Sequence, residues 1–494
     1  MAAPPSGTGP GRGRAIARRG GISSDGPPAA GYPPAVVPPA APDDDPVVPA
    51  EAPRVRVGLL GCGNVGAALV GLVTGRQDTI AARSGVVLDI TRVAVRSLTR
   101  DRGVAVPEGV LTRDAAAVAV DPEVDVVVEV IGGIEPAREL ILSALAAGKP
   151  VVTANKELLA NHGAELAAAA DAAEVDLLFE ASVAGGIPII RPLRESLAGE
   201  DVTRVMGIVN GTTNFILTRM TEDGTGYAEA LAEAQSLGYA ERDPTADVEG
   251  YDAGAKAAII ASLAFGARVV AGDVYHEGIS GVSAADIASA SRLGHVIKLL
   301  AVCERVAGDD GPEVAVRVHP AMLPVQHPLA GVRDSFNAVF VEGAAVGDLM
   351  FYGRGAGGDP TASAVLGDLI DAAVNLRKGT HATLGSTERA RIRPIDEQRS
   401  PFYLSIDVED RPGVLRALAE VFEAHRVSIR SLEQEGIGDA ARILLITHVA
   451  READLQATVV ALRGLDVVRR VGSVVRVVGD DGDDAAGAGP ANGA

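Results

Sequence analysis

Between Ala234 and Lys256 the chain reads A-Q-S-L-G-Y-A-E-R-D-P-T-A-D-V-E-G-Y-D-A-G-A-K. Glu241, Asp247, Asp252 and Lys256 are residue types that acid–base chemistry uses. Asp252 and Lys256 stand four apart, so a helix places an acid one turn before a base on the same face. Carboxylates hold an ammonium, and a lysine gives or takes a proton. The set therefore suits a polar, zwitterionic substrate. The alternative is a solvated surface pair. Against it stands the apolar run A-A-I-I-A-S-L-A-F after Lys256, which buries the helix that carries the lysine.

Several elements must position this set. The Gly-Tyr and Asp-Pro pairs form a turn-rich loop leading into the helix. Upstream, V-M-G-I-V-N-G-T-T-N reads as a strand ending at Asn210-Gly211, with Thr212 placed to cap the next helix. A helix with Leu231 and Leu237 then leads to the central stretch. Farther back, K-P-V-V-T-A-N-K sets Lys156 at the exit of a strand, where ligands of open α/β sheets bind.

The first ordered segment, R-V-R-V-G-L-L, is a buried strand that runs into Gly61-Cys-Gly-Asn-Val-Gly66 and a helix. That is G-x-G-x-x-G in its meaningful context. Gly61 permits the tight turn, Gly63 admits a pyrophosphate, and Gly66 lets helix and strand pack closely. Asn64 and Val65 complete the turn, and the helix N-terminus faces the phosphates. A second strand near Ile90 to Val95 is followed by Arg96 and Arg100, where an NAD site usually carries an acid. Guanidinium groups there suit a 2′-phosphate, which favours NADP while leaving NAD possible.

Composition bounds the rest. A chain of 494 residues needs more than one core. A net charge of -20 argues against nucleic acid as a partner. The sequence has no apolar run of about 20 residues, the length that spans a bilayer. Two cysteines, Cys62 and Cys303, point to a reducing, cytoplasmic setting. Residues 1–52, rich in Pro, Ala and Gly, are expected to be a disordered extension rather than a transit peptide, and 479–494 a disordered tail.

The central stretch resembles the signature of homoserine dehydrogenases: A-x-x-x-G-Y-A, then D-P-x-x-D-x-x-G-x-D-x-x-x-K. T-A-N-K and N-G-T-T-N resemble further segments of that family. The resemblance implies reversible NAD(P)H-dependent reduction of L-aspartate 4-semialdehyde to L-homoserine, in threonine, methionine and isoleucine biosynthesis. It implies Lys256 as proton donor, Asp252 as the group that keeps it charged or orients it, and Lys156 between cofactor and substrate. Glu241 would hold the substrate ammonium, with Asp247, Tyr239, Asn210, Gly211 and Thr212 lining the pocket. It further implies a structural monovalent cation such as sodium on backbone oxygens of Glu180, Val183, Gly185 and Ile187. A backbone contact to the cofactor is implied near Gly357, in G-R-G-A-G-G. Rival readings are a dehydrogenase of a related amino-acid aldehyde and a non-catalytic amino-acid sensor.

The expected fold class is α/β. A Rossmann-type domain spans 53–190 and is completed by about 353–380. An α+β substrate and dimerisation domain spans 191–352, with a helix filling the end of 275–298 and antiparallel strands over 305–352 that pair subunits into a homodimer or homotetramer. Residues 381–400 read as a linker. Residues 401–478 follow the order βαββαβ, the ferredoxin-like plan, with Pro412 early in the first helix. Asp410-Arg-Pro-Gly-Val-Leu there resembles the ligand-binding turn of ACT domains, which implies a threonine effector. No kinase region is recognised before the first domain, so a monofunctional enzyme is expected. Removing residues 400–494 is expected to spare catalysis and abolish threonine inhibition.

Overall fold

The computed structural model describes residues 52–107, 109–383, 388–437 and 440–479. The expectations for the two termini fall on 1–51 and 480–494, outside the described residues. The first sheet holds β1 (Arg54–Leu60), β2 (Val87–Ala94), β3 (Leu111–Thr112), β4 (Val126–Glu129), β5 (Val151–Thr153) and β6 (Leu177–Leu178). Its order is β3-β2-β1-β4-β5-β6, all parallel. This is the doubly wound dinucleotide-binding order. Continuous apolar strands such as Val126 to Val128 form it because helices cover both faces.

Helices α1 (Asn64–Gly75), α2 (Gln77–Ser84), α3 (Ala115–Val120), α4 (Ala137–Ala146) and α5 (Lys156–Ala173) connect these strands. Leu69, Val70 and Val73 of α1 share one buried cluster with Val55, Val57 and Leu59 of β1. Ala362, Val365 and Leu369 join the same cluster from far down the chain.

Next come β7 (Val202–Ile208), α6 (Gly211–Glu222), α7 (Tyr227–Ser236), the short α8 (Thr245–Val248) and α9 (Tyr251–Phe265). They are followed by β8 (Ala267–Arg268), β9 (Tyr275–His276), α10 (Ala284–Arg292), β10 (His295–Gly308), β11 (Gly311–Pro324), β12 (Phe336–Gly343), β13 (Gly347–Arg354) and α11 (Gly358–Lys378). The helix expected to fill the end of 275–298 stops at Arg292. Ser283 caps it as expected, but Lys298 lies inside β10. β10 and β11 pair in register from His295↔Pro324 to Gly308↔Gly311. The chain from β10 to β13 thus forms long antiparallel strands rather than short runs.

The stretch 381–400 is not a bare linker. β14 (Glu388–Arg389) pairs with β8, and Ile392 bridges to Val314. β15 (Arg399–Ser400) pairs with β19 (Ala450–Arg451).

The last module runs β16 (Phe402–Glu409), α12 (Val414–Ala424), β17 (Ile429–Ile437), β18 (Ala440–Thr447), β19, α13 (Glu452–Arg463) and β20 (Val468–Val477). Its sheet order is β20-β16-β18-β17, antiparallel throughout. Pro412 lies outside α12, because Gly413 at φ 93° makes a left-handed turn before the helix starts at Val414. Along β16 the side chains alternate. Phe402, Leu404 and Ile406 face α12 and α13, whereas Tyr403 joins the core of the preceding region.

β20 also pairs with β11, at Ala321↔Arg476 and Met322↔Val477. That contact makes one continuous sheet, β13-β12-β7-β10-β11-β20-β16-β18-β17. Among the described residues no helix is long and apolar enough to cross a membrane. Nor is any group of three or more His, Cys, Asp or Glu placed to hold a metal ion.

Candidate active site

The central stretch folds as two helices around one glycine. Gly250 takes φ 85°, which a side chain resists, and so turns α8 into α9. Asp252 then falls in the first turn of α9, where the helix dipole favours a carboxylate. Lys256 follows on the same face, and both residues are only 8% exposed.

The Lys256 ammonium donates to Asp252 Oδ2 at 2.7 Å and to the Val209 carbonyl at 2.7 Å. An ammonium has three donors, so one N–H has no partner among the described residues. Burial lowers the Lys256 pKa from the usual lysine value, and the Asp252 charge opposes that fall. Burial would raise the Asp252 pKa, but the ammonium groups of Lys256 and Lys156 hold it well below the usual carboxylate range.

Lys156 completes the group by donating to Asp252 Oδ1. It is the first residue of α5 rather than part of an exit turn, and its side chain is 44% exposed. Asn155 caps α5 by accepting from the Leu158 amide at 3.1 Å, and its amide nitrogen donates to the Gly133 carbonyl at 2.6 Å. Buried Glu129, at the end of β4, accepts from Thr153 Oγ1 at 2.6 Å and from the amides of Ile131 and Gly132. Glu129 therefore fixes the turns from which Lys156 emerges. The sequence reading passed over it, although a lone acid in the run V-V-V-E-V-I is a visible signal.

Asn210, not Thr212, caps α6, accepting from the Thr213 amide at 2.9 Å. Its amide nitrogen donates to Asp247 at 2.7 Å and to Asp252 at 2.8 Å, so it ties both acids together. Thr212 instead donates to the Tyr239 carbonyl at 2.7 Å, which holds the start of the central stretch against α6. Gly211 is required there, since a Cβ would lie 2.7 Å from the Ser335 carbonyl oxygen. Glu241 and Tyr239 are exposed, and among the described residues the Glu241 carboxylate stands outside the hydrogen-bonded network.

His276, read as a lone structural histidine, lies against α9. A Cβ on Gly254, midway between Asp252 and Lys256, would overlap its ring. The imidazole also meets the Tyr251 ring at 5.1 Å between centroids.

The glycine turn after β1 is shaped for a close approach. Gly61 takes φ 100°, with its would-be Cβ 2.8 Å from the Val130 carbonyl oxygen. A Cβ on Gly66 would overlap the Gly61 carbonyl, whereas Gly63 faces open space. A cleft beside this turn is lined by Gly63, Asn64, Arg100, Arg102 and Gly358. Neither α1 nor α11 carries a side-chain cap at its N-terminus, so their first amides are free to meet an anion. A Cβ on Gly358 would sit 3.3 Å from the Asn64 carbonyl oxygen, so the two N-termini touch. Gly357, at φ 123°, caps α11. Arg96 is exposed just beyond β2. Arg102, a third arginine of that loop, was not singled out from the sequence. It folds back onto the Ser97 and Arg100 carbonyls.

The glycine turn, Gly132-Gly133 and Lys156 follow β1, β4 and β5, which are neighbours in the sheet. Two strand spacings separate the first from the last, about 10 Å. A dinucleotide laid along the turn therefore ends beside Lys156 and its partners. What the arrangement offers is a proton-donating lysine, a carboxylate that stays charged, and a phosphate cradle along one sheet edge.

Comparison with known proteins agrees with this geometry. Residues 61–180 match the family model described as homoserine dehydrogenase, NAD binding domain, 188–370 the model described as homoserine dehydrogenase, and 402–466 the ACT domain. The homoserine dehydrogenase of Corynebacterium glutamicum is 53% identical over 436 residues, covering 87% of this chain and 98% of that protein. A crystal structure of a homoserine dehydrogenase from Thiobacillus denitrificans superposes with a TM-score of 0.81 at 40% identity, covering 86% of this chain and 98% of that one. A hyperthermophilic archaeal homoserine dehydrogenase in complex with NADPH matches with a TM-score of 0.55 at 29% identity, covering 65% of this chain and 98% of that one. A phosphate cradle on a doubly wound sheet, a buried lysine–aspartate pair beside it and an ACT module behind it thus have one common source: the chain belongs to the homoserine dehydrogenase family of oxidoreductases.

Proposed function

We propose that this chain reversibly reduces L-aspartate 4-semialdehyde to L-homoserine with NADPH as the preferred cofactor. The observation that carries the reading is the pair of lysines meeting on Asp252 at the sheet edge. A bound nicotinamide supplies the hydride for the reduction. Lys256 gives its unpartnered proton to the aldehyde oxygen, and its lowered pKa makes it the better acid near neutrality. Asp252 stays ionised, keeps Lys256 charged and fixes its direction. Lys156, half-exposed on the same carboxylate, positions the substrate. Asn210 and Asp247 line the pocket, and Glu241, whose carboxylate has no partner among the described residues, receives the substrate ammonium once substrate is present.

The cofactor fits the cradle of Gly61, Gly63, Asn64, Val65 and Gly66, with the α11 N-terminus at Gly357 supplying further amides. Arg96 and Arg100, which carry no ion pair among the described residues, serve the 2′-phosphate. The NADPH bound by the archaeal relative supports this preference.

A monovalent cation such as sodium would sit on the carbonyls of Glu180, Val183, Gly185 and Ile187. The carbonyls of Val183, Gly185 and Ile187 accept no backbone hydrogen bond among the described residues. The Glu180 carboxylate is already taken by the amides of Ile189, Ile190 and Arg191, so only its carbonyl remains for an ion.

We further infer a place in threonine, methionine and isoleucine biosynthesis, with threonine as a feedback effector through the ACT module. Subunits pair into a homodimer or homotetramer. The edge strand β13, which leaves Met350 and Tyr352 exposed, offers a surface for that pairing. Both cysteines are free, as a cytoplasmic enzyme requires. The domains divide as 53–190 with 353–380, 191–352 and 401–478.

The deciding assay follows NADPH oxidation on adding aspartate semialdehyde, repeated with NADH and with threonine. Turnover with another amino-acid aldehyde but none with this one would overturn the substrate.

A further inference from the structure

One buried arginine and one crevice stand out where the ACT module meets the catalytic region. Arg476 of β20 is 5% exposed. It donates to Glu452 Oε1 and Oε2 at 2.9 and 3.0 Å, and to Glu277 Oε2 at 2.7 Å. Its guanidinium also lies over the rings of Tyr275 and Phe402. Beside it opens a crevice of about 340 Å³ between residues 277–282 and 470–475. Interfaces between modules commonly hold small-molecule sites of this size.

The polar groups of this crevice are unevenly satisfied. Glu277 commits Oε2 to Arg476, while Oε1 has no partner among the described residues. The exposed side chain of Arg470, another lining residue, makes no hydrogen bond or ion pair among the described residues. Ser473 donates to Asp286 at 2.6 Å and keeps its oxygen lone pairs for a ligand donor. Gly278, Gly281 and Gly472 leave the floor without side chains. A cation without a partner among the described residues and a half-used carboxylate line the same crevice, the complement of a zwitterion.

We propose that this crevice is the effector site and takes a small L-α-amino acid, with Arg470 on its carboxylate and Glu277 on its ammonium. This rests on the regulatory reading above, and differs from placing the effector at the Asp410–Gly413 turn. A route to the active site lies alongside. The Ile279 amide donates to the carbonyl of Val248, the last residue of α8, at 2.8 Å, and a Cβ on Gly278 would overlap that carbonyl. His276, next to Glu277, lies on Gly254 between Asp252 and Lys256. A ligand ammonium on the free Oε1 shares the Glu277 carboxylate with Arg476, and so bears on the segment that holds α9.

The test titrates the NADPH-dependent reduction with L-threonine in the full chain, as Arg470→Gln, Glu277→Gln and, at the exposed ACT turn, Arg411→Gln. Thermal unfolding checks that each variant is folded. Loss of a charge-assisted hydrogen bond should raise the half-inhibiting concentration at least about tenfold for either crevice variant, and leave Arg411→Gln within about twofold. L-threoninamide, which lacks the carboxylate, should inhibit the unmodified chain about tenfold more weakly than threonine, and Arg470→Gln no differently from threonine. Folded crevice variants inhibited as strongly as the unmodified chain would overturn the site while leaving regulation intact. An unmodified chain that neither binds threonine in calorimetry nor responds to it would overturn the regulatory reading, and this site with it.

Discussion

Lys156 and Asp252, 96 positions apart, are joined by an ammonium–carboxylate hydrogen bond. Lys156 opens a helix of the parallel sheet, and Asp252 opens a helix packed on the large mixed sheet. The same carboxylate holds Lys256 from its own helix. One buried acid therefore links the cofactor side of the site to the proton donor. It keeps Lys256 charged where burial alone would disfavour charge.

That linkage predicts the pH response of Asp252→Asn. Burial lowers the Lys256 pKa, and the Asp252 charge holds it up. Removing the charge lets it fall further. The alkaline limb of kcat for the reduction should therefore move to lower pH, with a lower plateau. A pH–rate profile of the variant checks this, and an unmoved limb counts against the pairing.

The glycine turn gives a contrast between neighbours. Gly66→Ala forces a Cβ into the Gly61 carbonyl, whereas Gly63→Ala points into open cleft. Gly66→Ala should lower both thermal stability and NADPH affinity. Gly63→Ala should lower affinity alone, with an unchanged unfolding transition. Cofactor titration together with thermal unfolding separates the two.

Asp368, on α11, offers a test of stability against pH. Burial raises its pKa to about 7, with the nearby Glu180 charge adding to the shift. Its ordinary value is 3.8, so between about pH 4 and 7 the native state binds more protons than the unfolded state. This contribution to stability is full below about pH 4 and is lost as pH rises toward 7. Asp368→Asn, neutral throughout, should gain on the native protein by on the order of 3 kcal/mol between pH 5 and 8. Denaturant unfolding at both pH values measures it, and a difference independent of pH would refute it.

The ACT module is not a detachable appendage. Tyr403, Leu444, Ile446, Val475 and Val477 are buried in the same cluster as Ala257 and Ile260 of the lysine-bearing helix. Each large apolar side chain contributes about 1.5–3 kcal/mol on burial, against a net domain stability of about 5–15 kcal/mol. Removing residues 400–494 should therefore give an unstable, inactive protein, contrary to the expectation that catalysis survives. Full kcat in the truncated chain would restore that expectation.

Local physics made much of this visible in the sequence. The four-residue spacing of Asp252 and Lys256 and the apolar run after it fixed their shared helix face. The glycines of the β1 turn and the βαββαβ order were equally legible. What escaped depends on tertiary context. No local pattern brings Lys156 to Asp252. Asn210 took the cap from Thr212 because its side chain also bridges two acids. Lys298 fell in a strand because H-V-I-K-L-L-A-V, buried on both faces for most of its length, lacks the alternation that distinguishes strand from helix. Pro412 stayed outside its helix because Gly413 turns the chain first.

The central claim is that the Lys256 ammonium delivers the proton to the aldehyde oxygen. Its most direct test is kcat for the NADPH-dependent reduction of aspartate semialdehyde by Lys256→Met, with NADPH affinity measured alongside. The account predicts a fall of about two to four orders of magnitude with affinity unchanged. A kcat within about twofold of the native enzyme, in a folded variant that still binds NADPH, would contradict it.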